Sequence, residues 1–375
     1  MPDSAGTRPA TIRDVAAAAG VSIGTASKAL NGQGRLRPET RRRVTEAADH
    51  LGFAPNVLAQ GLLGGRTYTV GMITTDSFGR FSIPVMLGAE DALGAGQISV
   101  FMCDTRDDPD REQLYLDRLV SRRVDGLIVT GRRIEPRPAL DVGRRFPVVY
   151  AMTQPLDGDD PAILPDDEGG AVTAARHLLD LGRGHVGHIT GPERFLAARK
   201  RAAGLSHVLT GAGVPFAADE VLYGEWSERW GRDAARILLA AAPATDAIFC
   251  GSDQIARGVA DGLRALGCRV PDDVALVGFD NWAPMALGAN PPLTTVDVRL
   301  EEIGRLAGQH LLAAIGGDPE RGVHTVASQL VIRDSAPAAA PRSSLPPPHP
   351  PGRADQRRGT GSSAADSVCG MRMST

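Results

Sequence analysis

Aromatic residues are scarce in this chain: nine Phe, four Tyr and three Trp make up 4% of 375 residues. Cysteine is scarcer. Cys103, Cys250, Cys268 and Cys369 are scattered with no Cys-x-x-Cys pair, which argues against a zinc site or a disulfide framework and suits a reducing cytoplasm. No apolar run approaches the roughly 20 residues that span a bilayer. The N-terminal stretch Met-Pro-Asp-Ser-Ala-Gly-Thr-Arg lacks the apolar segment of a secretory signal, so a cytoplasmic protein without a membrane partner is expected. A phosphate-binding Gly-x-x-x-x-Gly-Lys-Ser/Thr loop is missing too. No Ser/His/Asp set or carboxylate pair is placed by spacing, so neither an enzyme nor a bound cofactor or metal is expected.

What is present is lopsided in charge. Residues 1–66 hold nine Lys/Arg against five acids, net +4, which leaves −7 for the rest of a chain of net −3. A basic end on an acidic body is the footprint of a protein that touches nucleic acid with one end only. That basic end has helical periodicity. Ile12, Val15, Ala16 and Ala19 fall at i, i+3, i+4 and i+7, one apolar face. Gly20 follows where a helix often ends in a left-handed residue, and Ser22 is placed to cap a second helix. There Ala26, Ala29 and Leu30 point one way, leaving Ile23, Gly24, Thr25, Ser27 and Lys28 on the other; Asn31-Gly32 stops it. This is the pattern of a helix-turn-helix. The hydroxyls can meet phosphates or base edges, Ile23 a thymine methyl, and Lys28 a phosphate or a guanine. A third helix starts at Pro38, with Val44, Ala47, Ala48 and Leu51 inward, Arg41-Arg42-Arg43 near its start and Gly52 at its close. The segment from Asn56 to Leu63 is too short and Gly-interrupted to be helical alone in water.

The run Thr-Ile-Arg-Asp-Val-Ala-Ala-Ala-Ala-Gly-Val-Ser, the Ser27–Asn31 step, Pro-Glu-Thr-Arg-Arg-Arg-Val, Leu-Gly-Phe-Ala-Pro-Asn and Leu-Ala-Gln-Gly-Leu-Leu-Gly-Gly-Arg-Thr resemble the DNA-binding head of LacI-type transcriptional regulators. The likeness runs to about Asp334. It implies DNA contacts at Thr11, Ser22, Ile23, Gly24, Thr25, Ser27, Lys28 and Asn31, and at Asn56, Ala59 and Leu62 of a hinge helix (56–64) that folds on the operator. Leu62 stands at the position of the residue that wedges into the minor groove. Three departures stand out. Gly24 replaces a base-reading side chain, Arg37 replaces a capping Ser, worth about 1 kcal/mol, and Gly61 lowers hinge helicity by roughly as much.

From Tyr68 short β-branched runs alternate with helical segments. Strands are expected near 68–73, 98–103, 124–130, 148–150, 185–189, 247–250 and 274–279, with helices near 83–93, 110–122, 168–181, 197–209, 228–241 and 254–266. The alternation predicts α/β architecture with parallel sheets covered on both faces. The span is too long for one sheet. The resemblance implies a two-lobed type I periplasmic-binding-protein-like body behind the all-α head. The expected division is a head at 1–66, a body at 67–335 and a disordered tail at 336–375, rich in Ala, Pro, Ser, Gly and Arg. Within the body the lobes are expected at about 67–165 plus 291–322 and 166–290 plus 323–335.

Open α/β sheets bind ligands beyond the carboxyl ends of their strands. Candidates there are Arg201, Trp226, Ser252, Asp253 and Asp280, with Ser77 and Phe78 after the first strand. Arg, Asp and Trp together suit a polyol, offering bidentate bonds to hydroxyl pairs and a flat face. These positions match effector contacts of the resembled family, although Ser252 stands where an Asn is usual. Two signals fail. Gly20-Val21-Ser22-Ile23-Gly24 has the spacing of a nucleophile elbow but follows a helix rather than a strand. His185 and His188 frame a strand, not the i, i+4 helical spacing of a zinc protease. The expectation is therefore a regulator that binds a double-stranded operator as a homodimer under a sugar or nucleoside-like effector. A solute-binding transport protein is the alternative, disfavoured by the basic head.

Overall fold

The computed structural model describes residues 10–30, 34–53, 66–94, 98–143, 146–157, 159–218 and 220–338. The expectations for Asn31, for the hinge with Asn56, Ala59 and Leu62, and for the tail past residue 338 lie outside the described residues.

The head is built from α1 (Ile12–Ala18), α2 (Ile23–Leu30) and α3 (Pro38–His50). At its start the Asp14 carboxylate accepts from the Thr11 backbone N–H at 2.8 Å and hydroxyl at 2.6 Å, tying the first turn as the far arm of a capping box does. Gly20 turns the chain at φ +61°, and Ser22 Oγ accepts from the Thr25 N–H at 3.1 Å. Arg37 leads α3 with no side-chain cap. Val15, Ala16, Ala19, Ala26, Ala29, Val44 and Ala48 form the core. Leu51 is 37% exposed rather than inward. It sits at the C-cap, past the last helical turn, and Phe53 packs on the core instead.

The body runs β1 (Thr69–Thr74), α4 (Ser82–Ala92), β2 (Ser99–Asp104), α5 (Pro109–Ser121), β3 (Gly126–Thr130), β4 (Pro136–Arg137), β5 (Val148–Ala151), β6 (Gln154–Pro155) and β7 (Ala162–Pro165). It continues with α6 (Asp167–Asp180), β8 (Val186–Thr190), α7 (Leu196–Gly211), β9 (Leu222–Tyr223), α8 (Glu228–Ala241), β10 (Ala247–Cys250), α9 (Asp253–Ala265) and β11 (Ala275–Phe279). Then come α10 (Ala283–Ala286), β12 (Thr294–Asp297), α11 (Leu300–Ile315), β13 (Val323–Val326) and β14 (Gln329–Val331). One sheet has the order β13-β7-β5-β3-β1-β2 and is parallel throughout. The other, β14-β12-β11-β10-β8-β9, is parallel except for β14. Strands β1, β3, β8, β10 and β11 are buried end to end. That is why they read as continuous apolar runs rather than alternating ones.

Four expectations are corrected. The return to the first lobe was expected near 291–295, but β12 still pairs with β11 in the second sheet, and the crossing follows it into α11. Strand β13, expected in the second lobe, pairs with β7 in the first. On α5 an inner face of Leu114, Leu119 and Val120 was expected, but the buried residues are Leu116 and Leu119, while Leu114 is 47% exposed; two positions from Leu116 is about 200° around a helix. The tail also begins later than 336, since Ala336 is fully buried and its carbonyl accepts from the Thr294 hydroxyl at 3.0 Å.

Helix α11 escaped the sequence reading because Gly304 and Gly308 weigh against a helix. Here glycine is a packing notch. A Cβ on Gly304 would come within 2.0 Å of the Val85 carbonyl oxygen, and one on Gly88 within 1.8 Å of that of Glu301. Helices α4 and α11 therefore touch backbone to backbone.

Candidate functional site

Two surfaces emerge. On the head, Ala26 and Ala29 of α2 are buried, so the opposite face is displayed: Ile23 is 48% exposed, and Ser22, Gly24 and Lys28 are exposed. Thr25 and Ser27 are half-buried at its edge. The Ser22 and Thr25 hydroxyls lie 2.9 Å apart. Thr11 is half-buried and engaged with Asp14. The Arg41–Arg43 run does not act as one. Arg41 reaches back to the Ala29 carbonyl at 3.5 Å, and Arg42 lies 3.7 Å from Glu46.

The second surface lies where the carboxyl ends of the two sheets meet. Arg201, on α7, is 7% exposed. Its Nε donates to Asp167 Oδ1 at 2.7 Å, Nη1 to the Gly251 carbonyl at 2.5 Å, and Nη2 stands 3.5 Å from Asp280 Oδ1. The guanidinium carbon lies 3.8 Å over the Phe279 ring and 5.9 Å from that of Trp226. Trp226 covers Gly191, where a Cβ would come within 2.1 Å of the indole, and stacks on Phe195 at 6.5 Å. Asp280, 8% exposed, follows β11 at φ +101°, a strained conformation for a residue with a side chain. Its second partner is Arg80, from the loop after β1 in the other lobe.

Ser252 and Asp253 are committed to structure. Ser252 caps α9, its Oγ accepting from the Ile255 N–H at 3.3 Å. Asp253 accepts from the Trp282 N–H at 2.7 Å and the Thr295 hydroxyl at 2.5 Å, so it tethers the 280–282 loop to α9. Burial, and then the nearby Asp280, push its pKa up to about 7. Burial likewise raises Asp167 despite Arg201 beside it. Ser77 and Phe78 do not join this cluster. Phe78 is 91% exposed, because Asp76 accepts from the Phe81 and Ser82 N–H groups and turns the intervening loop outward.

The lobes also meet at Glu135, whose Oε1 accepts from the Leu196 N–H at 2.7 Å and caps α7 from across the cleft. The carboxyl ends of β1, β2 and β3 open onto a cavity of about 270 Å³ lined by Thr75, Thr105, Thr130 and Glu135. Thr130 Oγ1 is buried there without a partner. Arg201, Trp226 and Asp280 do not line this cavity. His188 is buried, stacked on Phe249 at 4.9 Å, its pKa lowered to about 4 by burial; His185 is exposed beside Asp246. Gly182-Arg183-Gly184-His185-Val186-Gly187 has dinucleotide-loop spacing but leads into β8 instead of following a strand.

Arg80, Asp167 and Glu135 were missed from sequence. Arg80 had a signal: it follows a strand by six residues, beside Gly79 and Phe81. Asp167 looked like an ordinary acid in a helical first turn, and its pairing with Arg201 spans 34 residues.

Residues 11–56 match the family model for bacterial regulatory proteins of the lacI family, and residues 175–336 that for a periplasmic binding protein-like domain. The HTH-type transcriptional repressor PurR of Aliivibrio fischeri (strain MJ11) is 30% identical over 331 residues, 87% of this chain and 98% of that protein. The ribose operon repressor of Escherichia coli (strain K12) is 32% identical over 80% of this chain and 91% of its own length. Among solved structures, a lac repressor dimer bound to operator and the anti-inducer ONPF superposes with a TM-score of 0.72 at 26% identity, covering 88% of this chain and all of that one. A complex of the transcriptional regulator CelR with cellobiose gives 0.59 at 29% identity, covering 87% and 99%.

Proposed function

This chain belongs to the lacI family of bacterial regulatory proteins, and on that footing we propose how it works as a DNA-binding transcriptional repressor. Two copies grip a palindromic operator with α2 of each head, and a small ligand between the lobes alters that grip. The observation that carries the reading is the displayed face of α2, short, hydroxyl-rich and basic, on a helical trio whose other face is fully used as core. One such helix covers only a few base pairs, so useful specificity needs two half-sites about one turn apart. The relatives solved as an operator-bound dimer and with cellobiose support a homodimer and a sugar-like effector.

The DNA contacts are assigned to Thr11, Ser22, Ile23, Gly24, Thr25, Ser27, Lys28 and Asn31, with Asn56, Ala59 and Leu62 in the hinge. The effector contacts are assigned to Arg201, Trp226 and Asp280. Asp280 and Arg201 offer bidentate bonds to hydroxyl pairs, and Trp226 offers a stacking face. Ser252 and Asp253 act by setting the 280–282 loop. Closing or opening the lobes changes the spacing of the paired heads, and a coupling of about 1–3 kcal/mol suffices to change occupancy. Gel shift with fragments upstream of the chain's own gene and its neighbours tests the DNA half. A thermal-shift screen of sugars and nucleosides, followed by repeat gel shifts with each hit, tests the effector half. Binding with equal affinity to every fragment, unmoved by any stabilising ligand, would defeat the proposal.

A further inference from the structure

Arg80 has no role in the polyol reading, yet it is a second largely buried cation facing the cleft. It leaves the loop after β1, crosses to the second lobe and pairs with Asp280. Its guanidinium carbon lies 4.3 Å from the centroid of Trp282 and 4.8 Å from that of Phe81, rings contributed by different lobes. Its side chain is 15% exposed, and its Nε is buried without a partner. The two oxygens of Asp280 are thus shared between two guanidiniums, Arg80 on one and Arg201 on the other.

A ligand whose hydroxyls claim Asp280 has to displace or share these arginines. Arg201 keeps Asp167 and the Gly251 carbonyl. Among the described residues, Arg80 then keeps two aromatic faces and the more distant, buried carboxyl of Asp253, with no direct ion pair. A buried guanidinium stripped of its carboxylate is strongly unfavourable unless another anion replaces it, and a planar fork with a free Nε is shaped for a carboxylate or phosphate. The approach to the cleft is cationic as well. Arg133 from the first lobe and Arg194 from the second both lie on Phe195, at 4.9 and 4.7 Å, and among the described residues neither has a carboxylate within ion-pair distance. Glu193 is the single acid on the 191–195 loop, and Glu135, near Arg133, is engaged in capping α7.

We propose that the effector is an acidic sugar, with hydroxyls for Asp280 and a carboxylate or phosphate that takes the place of Asp280 on Arg80. This rests on the cleft being the effector site. Arg80 is then the residue that sets specificity for charge. The burial of Asp253 acts in the same direction, because it disfavours a second negative charge behind Asp280.

The test uses the full chain and its own fluorescence, since Trp226, Trp230 and Trp282 are its three tryptophans and all stand at the carboxyl ends of the second sheet. Wild type and R80Q are titrated at constant ionic strength with inorganic phosphate, then with glucose, glucuronate and glucose 6-phosphate. Galactose and ribose with their acidic counterparts follow. Wild type should give a saturable response to phosphate. An acidic sugar should bind at least tenfold tighter than its neutral parent, carboxylate and phosphate arms showing which anion is preferred. R80Q should lose that preference, and R80K, which keeps charge without the planar stack, should retain part of it. A flat phosphate titration, a neutral sugar binding as tightly as its acid, or an unaltered preference in R80Q overturns the proposal. Operator release separates it from the reading it rests on. If acids titrate the tryptophans through Arg80 but no sugar shifts operator affinity, the anion site stands and the cleft is not the effector switch.

Discussion

Of its two carboxylate partners, Arg201 is held more closely by Asp167 than by Asp280: Nε to Asp167 Oδ1 is 2.7 Å, against 3.5 Å from Nη2 to Asp280. The residue expected to greet a ligand is aimed by a carboxylate at the first turn of α6, the helix that opens the second lobe.

Replacing Asp167 with Ala therefore leaves a buried guanidinium half-paired. Stability should fall by about 3–5 kcal/mol, the usual cost of removing one partner from a buried pair, and the effector response should vanish while operator binding persists. Urea unfolding and operator anisotropy with and without ligand measure the two effects. A D167A protein of ordinary stability that still responds to ligand would contradict this role.

Asp253 gives a pH signature. Its carboxyl is raised to about 7 in the fold from 3.8, chiefly by burial. Between those values the folded chain binds the extra proton, so this group's stabilisation is complete below about pH 4 and is lost as pH rises through about 7. The loss is a few kcal/mol at most, at about 1.4 kcal/mol per unit. His188, lowered to about 4, has the opposite slope between pH 4 and 6.5. The diagnostic quantity is hence the difference between wild type and D253N, which should favour D253N increasingly from pH 5 to about 7 and level off above it. A difference independent of pH would show that Asp253 is charged throughout.

On the head, Lys28→Ala and Thr25→Ala should weaken operator binding and leave ligand binding intact. If Lys28 meets a phosphate, all sequences lose alike and the salt slope drops by about one. If it reads a guanine, one operator position relaxes at about 1–3 kcal/mol. Anisotropy on operator and scrambled duplexes over a salt series separates these. Unchanged affinity in both variants removes α2 from the groove.

Gly304→Ala probes the notch between α4 and α11. The added methyl meets the Val85 carbonyl at 2.0 Å, backbone that cannot step aside, so overpacking should cost about 1–3 kcal/mol or more despite the better helix propensity of Ala. Thermal unfolding reads the sign. A stabilised variant would mean the helices can separate freely.

The sequence was most legible where one local rule decided the outcome. Gly20, Ser22 and the small residues of α2 act within a few positions of one another, and the head followed them. Strand ends placed Arg201, Trp226 and Asp280 correctly near one another, because β-α alternation fixes which ends of the strands are shared. It was least legible where partners are far apart in the chain. Arg80 and Asp280 are 200 residues apart, and no periodicity links them. Strand β13 was assigned to the wrong sheet for a related reason, since β13 and β14 are short and three residues apart yet feed different lobes. Ser252 and Asp253 looked like ligand groups because a capping residue and a ligating residue have the same side chains.

The order of the strands also sets a timetable for birth on the ribosome. The head is contiguous and needs only its first fifty or so residues, so it can fold while the rest is still being made. Neither lobe has that freedom. The first sheet has to wait for β13 before its edge is filled, and the second for β14 and for Ala336, which seals Thr294 into the interior. Synthesis thus yields a finished basic head trailing two unfinished lobes, and both close within about a dozen residues of one another.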